Sequence, residues 1–300
     1  MEVVKSPREA RELIGSFKKE EGLLGIVPTM GDLHEGHLSL ISLSLQRCSR
    51  TAVSIFVNPA QFGPGEDLER YPRNRERDLQ LLLDLGVDLV FMPDDRDIYS
   101  PGDRTGVSVK SLTEHLCGKY RPGHFDGVAM IVAKLFNIIS PDIAFFGQKD
   151  AQQAVVLQRM AADLDFPVRI ALGPIIREDN GLAMSSRNRY LSDEQKESAA
   201  SIYRGLRKGF ESVLSGERDS RVVTSIIRDT VDRSGLRVQY AEAADGATMV
   251  PVDKIEGRVL LAAAALLDGV RLIDNIALNV EGEKVEEILL EFPEWSRYGS

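Results

Sequence analysis

LLGIVPTMGDLHEGHLSLI runs from Leu23 to Ile41, and its reading decides the fold. Leu23 to Thr29 is a short apolar run ending in proline and threonine, which suits a buried strand. A glycine turn follows at Gly31, and Leu38, Ile41 and Leu45 then recur at helical spacing. His34 and His37, two of the four histidines in the chain, stand three residues apart where that helix would begin. Three readings compete for them: a metal site, incidental histidines at a helix start, and a phosphate-handling site.

Outward from this unit, the first half keeps alternating. Ser6-Pro7-Arg8-Glu9 carries the marks of a helix start, with a serine cap, proline at the first position and glutamate at the third. Thr51 to Asn58, Val87 to Pro93 and Ile143 to Gly147 read as strands, and Val168 onward as another. Asp126 to Ile139 and Asp150 to Leu164 read as helices. Strands without polar alternation, separated by helices, predict a doubly wound, Rossmann-like α/β fold with a parallel sheet covered on both faces. The second half differs. Ser192 with Gln195 predicts a capping box, and Ile202, Leu206 and Phe210 continue that helix toward Gly216. Arg237 to Ala243, the run RVLLAAAALL and Val270 to Ile276 are β-like. We divide the chain into a catalytic domain, 1–188, and a smaller α+β domain, 189–300, covering the active site.

Composition narrows the function. The chain has 300 residues, 43% of them hydrophobic and 28% charged, in the range of folded globular proteins. No apolar run reaches the roughly 20 residues that cross a bilayer. The first residues are polar and acidic, unlike a secretory signal. Cys48 and Cys117 are the only cysteines and have no paired spacing, so a disulfide framework and a thiolate metal site are both disfavoured. A cytoplasmic location is expected. A net charge of −9 argues against a nucleic-acid surface, so an anionic ligand would need a local cluster of positive groups.

Ligands of such a sheet bind beyond the carboxyl ends of its strands. The chemically loaded stretches fall there: HEGH, NPAQFG (58–63), FGQKDAQQ (146–153) and MSSRNR (184–189). A helix start already favours anions, and two histidines can donate to phosphate oxygens. Zinc would need a further ligand, which His115 or His124 could supply. Lys149 at a strand-to-helix junction, and the hydroxyls and guanidinium of Ser185, Ser186 and Arg187, fit a polyphosphate. Gln61 and Gln153 suit a polar uncharged substrate, and Arg121 fits either chemistry or the bracing of a loop. The phosphate reading accounts for more of these residues than metal or incidental histidines do.

PTMGDLHEGHLSLI, FVNPAQFGPGEDLERYPR, RPGHFDGV, FFGQKDAQQ and REDNGLAMSSRNRYLS, in this order, resemble the blocks of the pantothenate synthetase (pantoate–β-alanine ligase) family, over essentially the whole chain. That family is related to class I aminoacyl-tRNA synthetases, and His34-Glu35-Gly36-His37 is similar to their HIGH motif. The resemblance implies ATP-dependent joining of (R)-pantoate and β-alanine through a pantoyl adenylate, with Mg²⁺ accompanying ATP, no tightly bound organic cofactor, and a homodimer. It implies ATP contacts from Met30, Gly31, Asp32, Leu33, His34, Glu35, Gly36 and His37, and from Gly147, Gln148, Lys149 and Asp150. Ile176, through its backbone, would read the adenine, and Met184, Ser185, Ser186 and Arg187 would complete the ATP site. Met30, Gln61 and Gln153 would hold pantoate, and Gln61 β-alanine. His37 would be a proton donor, with His34, Lys149, Arg187 and Arg121 as further catalytic groups.

The chain departs from the family pattern after Tyr71-Pro72-Arg73. Two adjacent acids are common there, and this sequence has Arg77-Asp78, leaving Asp78 as the candidate metal contact. Ala151 stands where an aromatic residue is common. Two alternatives remain open from sequence: another adenylyl- or cytidylyl-transferase on the same fold, and a histidine-metal hydrolase that needs no ATP.

Overall fold

The computed structural model describes residues 1–19 and 21–290, so the last ten residues of the expected second domain lie outside the described residues. The first half runs β1 (Glu2–Val4), α1 (Pro7–Phe17), β2 (Leu24–Thr29), α2 (Glu35–Arg47), β3 (Arg50–Ile55), α3 (Arg75–Leu85) and β4 (Leu89–Phe91). It continues through α4 (Asp95–Ile98), α5 (Leu116–Tyr120), α6 (His124–Ile139), β5 (Ile143–Gly147), α7 (Ala151–Asp163) and β6 (Arg169–Gly173). The second half is α8 (Asp193–Ala199), α9 (Ser201–Leu214), α10 (Ser220–Asp232), β7 (Arg237–Asp245), β8 (Gly257–Leu267), β9 (Val270–Glu281) and β10 (Lys284–Ile288).

Strands β1 to β6 form one sheet in the order β1-β4-β3-β2-β5-β6, with every pairing parallel. Period-two alternation sorts its side chains onto two buried faces. Ile26, Ala52, Leu89, Phe91, Ala144 and Phe146 pack with α1, α6 and α7. Val27, Val53, Ile55, Val90 and Phe145 pack with α2 and α3. Each of the Val, Leu, Ile and Phe side chains among them contributes about 1.5–3 kcal/mol on burial, so both faces need apolar residues and the strands cannot alternate with polar ones. The chain winds outward from β2 through β3 to β4, then returns to place β5 on the other flank of β2. The strand order therefore reverses between β2 and β5, which is where such sheets open a ligand crevice.

The second sheet, β10-β9-β8-β7, is antiparallel throughout. Its strand β8 is apolar on both faces for a different reason. Leu260, Ala262 and Ala264 join the core of the first domain. Val259, Leu261, Ala263 and Ala265 pack under α9 and α10 with Leu206, Phe210, Val223 and Ile227. The small sheet is thus a partition between two cores, and this seats the antiparallel sheet on the parallel one.

Local signals set the helix starts. Ser6 and Glu9 close a reciprocal capping box at 3.2 and 3.0 Å, and Ser192 and Gln195 do the same at 3.2 and 2.8 Å. The single helix expected from Ser192 past Phe210 is divided at Ala200, which has ψ −14°. Ala199, Ala200 and Ser201 are all fully buried, so the chain bends against the core instead of presenting one helical stripe. Strand β1 was not foreseen: Glu2, Val3 and Val4 are too few to show a pattern, and pairing with β4 defines them.

Candidate active site

Strand β2 delivers the chain to a turn in which Gly31 (φ +82°) and Asp32 (φ +50°) are both left-handed. Glycine is required at the first position, because a Cβ would meet Ile55 Cγ2 at 3.0 Å and Asp78 Oδ2 at 3.2 Å. Helix α2 then starts with His34 as its cap. The His34 Nδ1 accepts from the Gly36 amide (3.1 Å), and the His37 Nδ1 accepts from the His34 amide (3.3 Å). The rings lie 4.1 Å apart and both line the cleft. An Nδ1 that accepts a hydrogen bond places the proton of the neutral ring on Nε2. Burial, with His37 and Lys149 nearby, lowers His34 to about 2; burial and Lys149 lower His37 to about 4. Near neutral pH the two rings are therefore uncharged N–H donors at the positive end of a helix.

Strand β5, next to β2 across the switch point, ends in a 3₁₀ turn, Gln148–Asp150. Strand β9 and the segment after β10 hold that turn. Asn275 of β9 donates to the carbonyls of Gln148 (2.9 Å) and Lys149 (3.0 Å), and Gln148 Oε1 accepts from the Leu290 amide (2.7 Å). The Lys149 ammonium makes no hydrogen bond or ion pair among the described residues, and Lys149 lines the cleft with Gly147, Asp150 and Gln153.

Beyond β6, Pro174 to Ile176 and Met184 to Arg187 form the opposite wall. The Ile176 carbonyl accepts from Met184 N at 2.9 Å across a short antiparallel bridge, Arg177 to Ala183. Ser185 Oγ caps the next 3₁₀ turn, and Ser186 Oγ reaches the Asp32 carbonyl at 3.2 Å, tying this wall to the histidine loop. Arg187 is forked onto Asp67 with two bonds of 2.9 Å. Arg121 is forked onto Glu66 at 2.7 and 2.5 Å and also approaches His124 Nε2 at 2.9 Å. Burial alone would disfavour charge on all four paired groups, but the pairing prevails, holding both arginines above and both acids below their ordinary values.

Gln61 sits on a 3₁₀ turn, Pro59–Gln61, that packs directly on α6. Gly127 permits the approach, because a Cβ there would overlap the Ala60 carbonyl oxygen. Buried Asn58 donates to the Gly127 carbonyl (3.0 Å) and to Gln61 Oε1 (3.1 Å), which leaves Gln61 Nε2 to approach Met30 Sδ at 2.9 Å. The Gln153 amide lines the same cleft and has no hydrogen-bond partner among the described residues.

The cleft brings together Met30, His34, Gly36, His37, Gln61, Arg121, Gly147, Lys149, Asp150, Gln153, Ile176 and Met184 through Arg187. It does not bring in the side chains of Asp32, Leu33, Glu35 or Gln148. Leu33 is core, Glu35 is exposed, and Gln148 faces the second domain. Asp32 is buried 2.8 Å from Arg189 in an ion pair whose geometry falls short of a hydrogen bond. Asp78, expected as a metal contact, lies behind the histidine loop, where its two oxygens accept from the Asp32 and Leu33 amides, both at 2.8 Å. No three His, Cys, Asp or Glu residues lie grouped for a metal among the described residues. Sequence reasoning did not single out Asn58, Glu66, Asp67 or Asn275. The first three lie in quoted stretches, whereas Asn275 carries no local signal.

A crevice at the reversal of strand order, walled by neutral histidine donors, a lysine and two arginines, defines a nucleotide-phosphate-handling protein of the doubly wound class. The family model described as pantoate-beta-alanine ligase matches residues 2–277. The pantothenate synthetase of Caldicellulosiruptor bescii is 48% identical over 282 residues, covering 94% of this chain and 100% of that protein. The crystal structure of pantothenate synthetase from Thermus thermophilus has a TM-score of 0.87 at 40% identity, covering 92% and 98%. That of pantoate-beta-alanine ligase from Francisella tularensis, complexed with beta-gamma ATP and beta-alanine, gives 0.76 at 32%, covering 92% and 97%. The chain belongs to the pantoate–β-alanine ligase family.

Proposed function

We propose that this protein condenses (R)-pantoate with β-alanine to pantothenate, converting ATP to AMP and pyrophosphate through a bound pantoyl adenylate. The observation that carries the reading is the cleft itself. Neutral amide groups, Gln61 and Gln153, and the phosphate-directed groups His34, His37, Lys149 and Arg187 line one and the same cleft. A pantoate carboxylate oxygen attacks the α-phosphorus of ATP, and the bond to the bridging oxygen breaks to release pyrophosphate. The β-alanine amine then attacks the acyl carbon, loses a proton, and expels AMP. A carboxylate is a poor acyl donor and the mixed anhydride a good one, so the protein has mainly to align reactants and balance phosphate charge.

His34 and His37 donate from Nε2 to phosphate oxygens, and Lys149 meets the charge that develops on them. Ser185, Ser186 and Arg187 hold the outer phosphates, and Ile176 reads the adenine through its backbone. Gln61, Gln153 and Met30 hold pantoate, and Gln61 borders β-alanine. Magnesium enters with ATP as part of the substrate, held by phosphate oxygens and water, because the donor set of the cleft offers no cage for a resident ion. A homodimer in the cytoplasm fits the family. No helix among the described residues is long and apolar enough to cross a membrane.

The test is a product analysis with ATP, Mg²⁺, pantoate and β-alanine, in which pantothenate and AMP must appear one to one. ADP in place of AMP, or hydrolysis without ATP, would overturn the reading.

A further inference from the structure

We infer that Arg77 and Asp78 are positioning residues that clamp the histidine loop from behind. The two residues are consecutive on the first turn of α3, and they grip opposite sides of one stretch of backbone. Asp78 takes the amides of Asp32 and Leu33, each at 2.8 Å, one on each carboxylate oxygen. Arg77 Nη1 donates to the Leu33 carbonyl, also at 2.8 Å. Leu33 is fully buried and Asp78 is 1% exposed, so this contact is not a surface accident.

The reason the loop needs such a clamp lies in its conformation. Gly31 and Asp32 are successive left-handed residues, and Asp32 is not a glycine. Successive amides in this arrangement converge on one side of the backbone and form a small anion-binding concavity. In phosphate-binding loops a concavity of this kind faces the ligand. Here it is filled by an internal carboxylate, and Leu33 leads directly into His34. A shift of the Leu33 peptide moves the His34 amide, which is the donor that fixes Nδ1 of His37. Arg77 and Asp78 thus act on the reaction through the histidines, and neither lines the cleft. The arginine at position 77 thus has its own task on the Leu33 carbonyl.

The activity arm of the test rests on the adenylation reading above; the spectroscopic arm does not. Asp78→Asn keeps the shape but turns one acceptor into a donor facing an amide, and Arg77→Ala removes the opposite jaw from an exposed position. Each should lower the rate of pantoate-dependent pyrophosphate exchange by roughly 10- to 100-fold, the scale of a small misplacement at a reacting centre. The pantoate concentration at half-rate should stay within about twofold of wild type, because Gln61 and Gln153 are untouched. The Mg²⁺ concentration at half-rate should also stay within about twofold. The double variant should lose less than the product of the two single losses, since both act on one peptide. In ¹⁵N spectra of the histidine rings, both variants should disturb the Nδ1 signal of His37, and a variant that merely loosened α3 would leave it in place. A tenfold rise in the Mg²⁺ requirement of Asp78→Asn, with the rate restored at high Mg²⁺, would make Asp78 a metal ligand and overturn the inference. Wild-type rates in Arg77→Ala with an unmoved His37 signal would overturn it as well. If wild-type protein gave no exchange, the adenylation reading would fall while the ring signals still judged the clamp.

Discussion

Asn275→Ala probes how far the antiparallel sheet takes part in the chemistry of the cleft. The side chain donates at 2.9 and 3.0 Å to the carbonyls of Gln148 and Lys149, and both hydrogen bonds are at least partly buried. Truncation leaves two acceptors without their donor, at about 1–3 kcal/mol each when buried. Part of that loss is offset, because Asn275 Oδ1 is itself a buried atom without a hydrogen-bond partner among the described residues. The net cost should be about 2–4 kcal/mol, or a fall in Tm of roughly 3–6 °C for a chain of this size. The same change frees the turn that aims the Lys149 ammonium, so pantoate-dependent pyrophosphate exchange should slow by roughly 10- to 100-fold. Scanning calorimetry and exchange kinetics on one preparation read both quantities. A lowered Tm with an unchanged exchange rate would refute the reasoning, because Asn275 would then staple the domains without aiming Lys149.

Further outcomes follow from the same geometry. Lys149→Ala should reduce turnover in adenylate formation far more than ATP affinity, since its ammonium meets charge that develops in the transition state; rapid-quench rates and calorimetric titration separate the two. Asp67→Asn releases Arg187 from a half-buried ion pair that ATP phosphates must otherwise displace. It should tighten ATP by on the order of 1 kcal/mol, or about fivefold, in the same titration. His37 and His124 are each lowered to about 4 and His34 to about 2, with burial the largest cause. The unfolded chain therefore takes up protons near pH 6.5 that the folded chain refuses. Their contribution to stability is full above about pH 6.5 and is lost as the pH falls toward 4. Urea midpoints across that window should decline, with a shallower slope in His124→Gln.

Most of the first domain was legible because parallel strands buried on both faces must be apolar at every position. Val27 and Ile26 face opposite layers, yet both are core, and this marks the strand without any periodicity. The same appearance in Leu260 to Ala265 has another origin, an antiparallel strand held between two cores, so an apolar run alone does not reveal direction. The candidate site was legible where it is built from consecutive residues, as in HEGH and MSSR. It was not legible where it depends on partners far apart in sequence, such as Asn275 with Lys149, Glu66 with Arg121 and Asp67 with Arg187. The partners of Asp78 were not legible for a related reason. An acid near a phosphate motif suggests magnesium, whereas the left-handed turn at Gly31 and Asp32 had already created an internal need for a carboxylate.

The central claim is that one half-reaction activates pantoate before β-alanine is needed. Incorporation of labelled pyrophosphate into ATP tests it, with Mg²⁺ present and the two acids supplied separately. Pantoate alone should support rapid exchange, β-alanine alone none, and a pantoate analogue without hydroxyls far less than pantoate. Exchange with β-alanine alone, or an absolute requirement for both acids, would contradict a pantoyl adenylate formed in this cleft.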